Sequence, residues 1–240
     1  MTSGNEAFDR LLAEATFFPG LNVRLAALRP LKRIAEEQLD YSRSTEVQRV
    51  REEHGRLGVE LHSEDKGFDL EELEQQVIHL LPKLTRGGLL LMAWSVFERS
   101  VKDIALRAAD FKSKPLSRAY FRRGDFFSKA EAALQEHAGV SLFEDQQQKD
   151  LGKLLKALRD VLIHHDGRMD EALPVLATQT KEQLARIGVQ VVRDYDFKYL
   201  VPNESFLDQT VEFAYDCSHS LARRVFNALN PTGKLGSDSD

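Results

Sequence analysis

Arg159, Asp160, His164 and His165 gather where an otherwise apolar helix runs out, with Gly167 just beyond. Imidazole accepts and releases protons near neutral pH, which suits general acid–base work. Guanidinium presents planar, paired donors to an oxyanion and keeps its charge at any working pH. A helix end carrying both is a candidate for proton transfer on a substrate that develops negative charge. Spacing adds a constraint, because Arg159 and His164 are five residues apart, about 140° around a regular helix. One helix does not easily aim both at one group, whereas two facing copies can. His165 follows Val161 by four and Leu158 by seven, so it falls on the apolar stripe. It reads as a hydrogen-bonded histidine of the core or helix end. If the helix loosens before Gly167, it exchanges roles with His164. A plain helical scaffold carrying the same pattern by chance would instead be a monomer with Arg159 buried and salt-bridged.

Other polar groups have two readings each. Glu98 lies at the edge of a stripe of Leu90, Trp94, Phe97, Val101, Ile104, Ala108 and Phe111. The stripe is core, and Glu98, about 40° from Trp94, is either a salt-bridged edge carboxylate or a member of a site. Arg118, Arg122 and Arg123 interleave with Tyr120 and Phe121. They form either a solvated helix face or a strip that tracks an RNA backbone and stacks its bases. Arg223-Arg224 poses the same choice. Cys217, the single cysteine, reads as a small apolar helix residue. Paired with His219 it makes no metal site, since positions two apart on a helix face different ways. The sequence contains no GxxxxGK followed by Ser or Thr, no GxGxxG, no HExxH and no GxSxG. Phosphate-loop, dinucleotide, zincin and hydrolase-elbow readings therefore lack support.

The run from Leu158 to Asp170 resembles the signature of the HEPN superfamily (higher eukaryotes and prokaryotes nucleotide-binding). There an Arg, a polar residue, about three further residues and a His close a helix. Arg159, Asp160 and His164 fall on that pattern, and Asp166-Gly167 fits the turn that follows. Asp160 stands where the family most often has Asn. The helix of Trp94 and Glu98 is similar to the family's first core helix, and the likeness spans roughly residues 87–229. The resemblance implies a metal-independent endoribonuclease built as a symmetric homodimer with a composite cleft. His164 would act as general acid/base, Arg159 would stabilise the phosphorane, Glu98 and Asp160 would orient them, and His165 would be accessory. Attack by the 2′-hydroxyl would leave a 2′,3′-cyclic phosphate and a 5′-hydroxyl, with no cofactor and no metal. The family's setting is toxin–antitoxin or antiphage defence, so RNA, a second copy and an antitoxin or regulatory protein are the expected partners. The alternative is a non-catalytic HEPN-like module that binds RNA, nucleotide or a partner protein.

The elements that must hold these groups are mostly helices. Leu, Ala, Glu, Lys, Arg and Gln dominate and β-branched runs are rare. The expected fold is all-α, a HEPN-like helical bundle with a small β-hairpin near the C-terminus and an N-terminal helical extension. Helices are expected over 21–39, 45–61, 69–81, from 88 past Phe111, from after Pro115 to 137, over 143–165 and over 206–229. The hairpin pairs Val189–Val192 with Phe197–Val201. The expected division is 1–85, an N-terminal extension; 86–230, the HEPN-like domain; and 231–240, a flexible tail. With 240 residues, 42% hydrophobic and 30% charged, the chain has the composition of a globular protein. Its net charge of −5 argues against a broad duplex-binding face but leaves room for a small basic cleft. No apolar run reaches about 18 residues, so no membrane partner is expected and the chain reads as cytoplasmic.

Overall fold

The computed structural model describes residues 16–57, 70–164, 167, 181–194 and 197–230. The chain is predominantly helical, and its only sheet among the described residues is one antiparallel hairpin. In chain order the elements are α1 (Leu21–Ala26), α2 (Leu28–Leu57), α3 (Leu70–Phe111), a short 3-10 helix (Arg118–Arg122), α4 (Phe126–Ala138) and α5 (Gln146–His164). Then follow α6 (Lys181–Arg186), β1 (Val189–Asp194), β2 (Phe197–Pro202) and α7 (Glu204–Leu229). An all-α fold with a small hairpin is thus what the chain adopts. The end of the helix expected over 45–61, His165, Asp166 and the tail lie outside the described residues.

Two long helices replace four shorter expected ones. α2 runs straight through Asp40-Tyr41-Ser42-Arg43-Ser44, where a break was anticipated. The hydroxyls of Ser44 and Thr45 donate back to the Tyr41 carbonyl at 2.9 Å, so they are satisfied within the helix instead of diverting the backbone. α3 continues through Pro82 and Gly87-Gly88. Proline and glycine disfavour a helix interior, but tertiary contacts fix this stretch. Arg86 donates from Nε and Nη2 to both carboxylate oxygens of Glu36, at 2.8 and 2.6 Å, and from Nη1 to the Pro202 carbonyl at 3.3 Å. Both side chains of the pair are less than one-sixth exposed. A buried bidentate pair is costly to break, so it overrides the local preference.

The expected helix after Pro115 divides in two. Ser117 Oγ accepts from the Ala119 N–H and starts the 3-10 helix. Asp125 then caps α4, its carboxylate accepting from the Ser128 N–H at 2.9 Å. A second Asx cap begins α7, where Asn203 Oδ1 accepts from the Phe206 N–H. Gly188, which leads into β1, has φ 76°, and a Cβ there would overlap Asn203 Oδ1 and the Phe206 backbone. Only glycine permits this turn and the cap beside it. The hairpin pairs Val189 with Pro202 through Asp194 with Phe197.

The chain forms two compact units, each drawn from separate segments. The first takes its residues from within Met1–Leu28, Ala93–Lys153 and Val211–Asp240. Its core is aromatic: Trp94 packs on Phe97 and Phe127, Phe97 on Phe213, and Phe127 on Phe143, with ring centroids 5.1 to 5.9 Å apart. The second takes its residues from Arg29–Met92 and Leu154–Thr210. Its buried set includes Leu39, Leu90, Leu155, Leu158, Val161, Leu200 and Phe206. Within it, Lys32 reaches Glu204 and Asp208. Burial lowers the Lys32 pKa, but the two carboxylates outweigh it and hold the ammonium above its ordinary 10.5. No helix among the described residues is long and apolar enough to cross a membrane.

Candidate functional site

α5 carries Leu155, Leu158 and Val161 on one fully buried stripe. Arg159 and Asp160 flank that stripe, with side chains 21% and 19% exposed. Arg159 Nη2 lies 2.7 Å from Asp160 Oδ1, and the other oxygen of Asp160 lies 3.5 Å from Lys156 Nζ. The Asp160 carboxylate is thus shared by two cations on adjacent turns. His164 is the last residue of α5 and is exposed.

Gly167 fixes this helix end. Its φ is 74°, its N–H donates to the Val161 carbonyl at 3.0 Å, and its carbonyl accepts from the Leu200 N–H at 2.8 Å. The first bond spans six residues, longer than the four of a regular α-helical step. A Cβ at this glycine would approach the Leu200 carbonyl to 3.2 Å. The terminus that presents His164 is therefore tied to the hairpin through main-chain bonds. Arg159, Asp160 and His164 all belong to the second unit. His165, beside them in sequence, lies outside the described residues.

The remaining expected site residues belong to the first unit. Glu98 accepts from Trp94 Nε1 at 2.9 Å and faces Lys102 Nζ at 3.5 Å, so its carboxylate serves a ladder along α3. In the 3-10 helix, Phe121 is buried while Arg118 and Arg122 are exposed, and Arg123 just after it is exposed as well. Tyr120 packs edge-on against Phe121, and Lys129 sits over its ring at 5.0 Å. The two aromatic residues of this patch are therefore taken up by protein contacts. Arg224 donates to the Ser141 and Leu142 carbonyls and is a structural clamp. Cys217 is fully buried, and burial pushes its thiol up to about 12. Among the described residues no three His, Cys, Asp or Glu side chains group in a way that could hold a metal ion.

One charged cluster in the first unit has no obvious local signature in the sequence. Asp103 faces Arg24 at 2.8 Å, Arg99 at 3.5 Å and Arg118 at 4.0 Å. Only the Arg99 contact is a helical i to i+4 step; the other two join residues far apart or on different elements. Comparison with family models, with curated proteins and with solved structures finds no match.

Proposed function

We propose that this chain is a metal-independent endoribonuclease whose cleft is shared by two copies of the chain. The observation that carries the reading is the end of α5, where Asp160 holds the Arg159 guanidinium and His164 stands exposed five residues on. The motif's resemblance to HEPN nucleases supplies the substrate class. In the reaction, the 2′-hydroxyl oxygen bonds to the adjacent phosphorus and the bond to the 5′-oxygen breaks. The His164 imidazole takes the 2′-hydroxyl proton and, as imidazolium, gives a proton to the departing 5′-oxygen, while Arg159 neutralises the charge that builds on phosphorus. Two copies let the Arg159 of one and the His164 of the other converge on one phosphate from opposite sides.

The test is incubation of purified chain with mixed RNA in EDTA, alongside His164→Ala and Arg159→Ala. Each substitution is expected to lower the cleavage rate by about 10²–10⁴. Cleavage that survives both removes these residues from the reaction. One feature favours a second, non-catalytic reading, a plain helical scaffold or a binding module: the Arg159 charge is already met by Asp160. RNA that is bound but never cut by the wild-type chain would select the binding module.

A further inference from the structure

Around Asp103 the described residues of the first unit gather more guanidiniums than carboxylates. A cavity of about 430 Å³ opens there, lined by Arg24, Arg107 and Arg118 together with Asp103, Asp110 and Phe17. Arg99 reaches the same Asp103 carboxylate. Among the described residues, four guanidiniums therefore meet two carboxylates, and Asp110, exposed at the cavity, makes no ion pair there. Arg107 lies over the Phe17 ring at 5.3 Å and is otherwise exposed. The Arg118 side chain is 73% exposed and touches Asp103 only at 4.0 Å. Arg24 Nε is enclosed and finds no hydrogen-bond acceptor among the described residues. A few residues on from Arg118 in the chain, Arg122 and Arg123 are exposed and make no ion pair among the described residues. In a chain of net charge −5 this is a local excess of the opposite sign.

We infer that this cavity seats phosphate groups of a single RNA strand, with Arg107 and Arg118 as the principal contacts and Arg122 and Arg123 continuing the track. Guanidinium pairs match phosphate oxygens in geometry and charge, and a narrow basic track suits one strand. A free nucleotide fits less well, because a base needs an open aromatic face. The Phe17 ring is already engaged by Phe18, Phe111, Phe226 and Arg107. Asp103 holds Arg24, Arg99 and Arg118 around one carboxylate.

The inference rests on RNA being the substrate, and binding is measured apart from cleavage so that the two can fail separately. The full chain carrying His164→Ala is titrated into a labelled single-stranded RNA of mixed sequence in EDTA, and anisotropy is read at several salt concentrations. Adding Arg107→Gln and Arg118→Gln is expected to weaken binding about tenfold or more. The salt slope should flatten by about 1.4, at about 0.7 per phosphate contact on a single strand. Adding Lys149→Gln and Lys153→Gln, two exposed lysines on α5 that remove equal charge, is expected to change the slope by less than about 0.3. Equal effects from the two pairs, no effect from the arginine pair, or no RNA binding at all would overturn the inference. AMP and inorganic phosphate serve as competitors; displacement of RNA by micromolar AMP would reassign the cavity to a free nucleotide. Should the arginine pair lower the melting temperature, Arg118→Gln alone is read instead, with an expected flattening of about 0.7, since that side chain is 73% exposed. Binding intact without any cleavage by the wild-type chain would remove the nuclease reading and leave this one standing.

Discussion

Between Lys156 and Arg159, the Asp160 carboxylate takes up charge that an incoming phosphate would otherwise meet. A partly buried pair of this kind is worth up to about 1 kcal/mol, which corresponds to about fivefold in rate. Asp160→Asn keeps the shape, removes this negative charge from beside both cations and is expected to raise the cleavage rate two- to fivefold in single-turnover assays. An unchanged or lower rate would show that Asp160 serves to position Arg159 and not to screen it. Cys217 offers a second residue-level test. Burial holds its thiol protonated up to about 12, against an ordinary value of 9.0. Above pH 9 the unfolded chain therefore releases this proton while the folded chain keeps it, so its contribution is full below pH 9 and declines toward pH 12. The stability advantage of the parent over Cys217→Ala should shrink by about 1 kcal/mol between pH 8 and pH 10. Denaturant melts at the two pH values give this difference directly, and a thiol reagent should label the native chain only after unfolding.

At the scale of elements, α5 is constrained near both ends. At Gly152 a Cβ would lie 2.9 Å from the Phe213 ring and 3.1 Å from that of Phe143. Both rings are buried and have little room to give. Alanine normally improves a helix interior by about 1 kcal/mol, but here overpacking costs about 1–3 kcal/mol. Gly152→Ala is therefore expected to destabilise the protein, and a raised midpoint in a thermal melt would contradict the packing described. Sequence signals of short range read α5 and the hairpin well. Apolar residues at three- and four-residue steps, Gly139 and Gly167 at helix ends, and paired short runs around residues 195–196 each act within a few residues. The expected breaks at residues 40–44 and at Gly87-Gly88 failed for the opposite reason. The Arg86–Glu36 pair joins residues 50 apart, and its strength appears in no local pattern. Likewise Arg159, Asp160 and His164 could be singled out from one helix, whereas the arginines around Asp103 come together only through folding.

For the whole molecule, a cleft shared by two copies has a quantitative consequence. Arg159→Ala and His164→Ala chains are each inactive under the proposed mechanism. Mixed dimers would carry one intact site, made of Arg159 from one copy and His164 from the other. With random exchange about half the dimers are mixed, so about a quarter of wild-type activity should return on mixing. No recovery after verified subunit exchange would show that both groups act from one chain. Trp94, the single tryptophan, is 2% exposed in the aromatic core of the first unit, and the second unit has none. Intrinsic fluorescence therefore follows the first unit alone, while far-ultraviolet circular dichroism averages over every helix. Recorded on one sample, coincident midpoints would mark a single cooperative transition. Separated midpoints would give the unit bearing Arg159 and His164 a stability of its own.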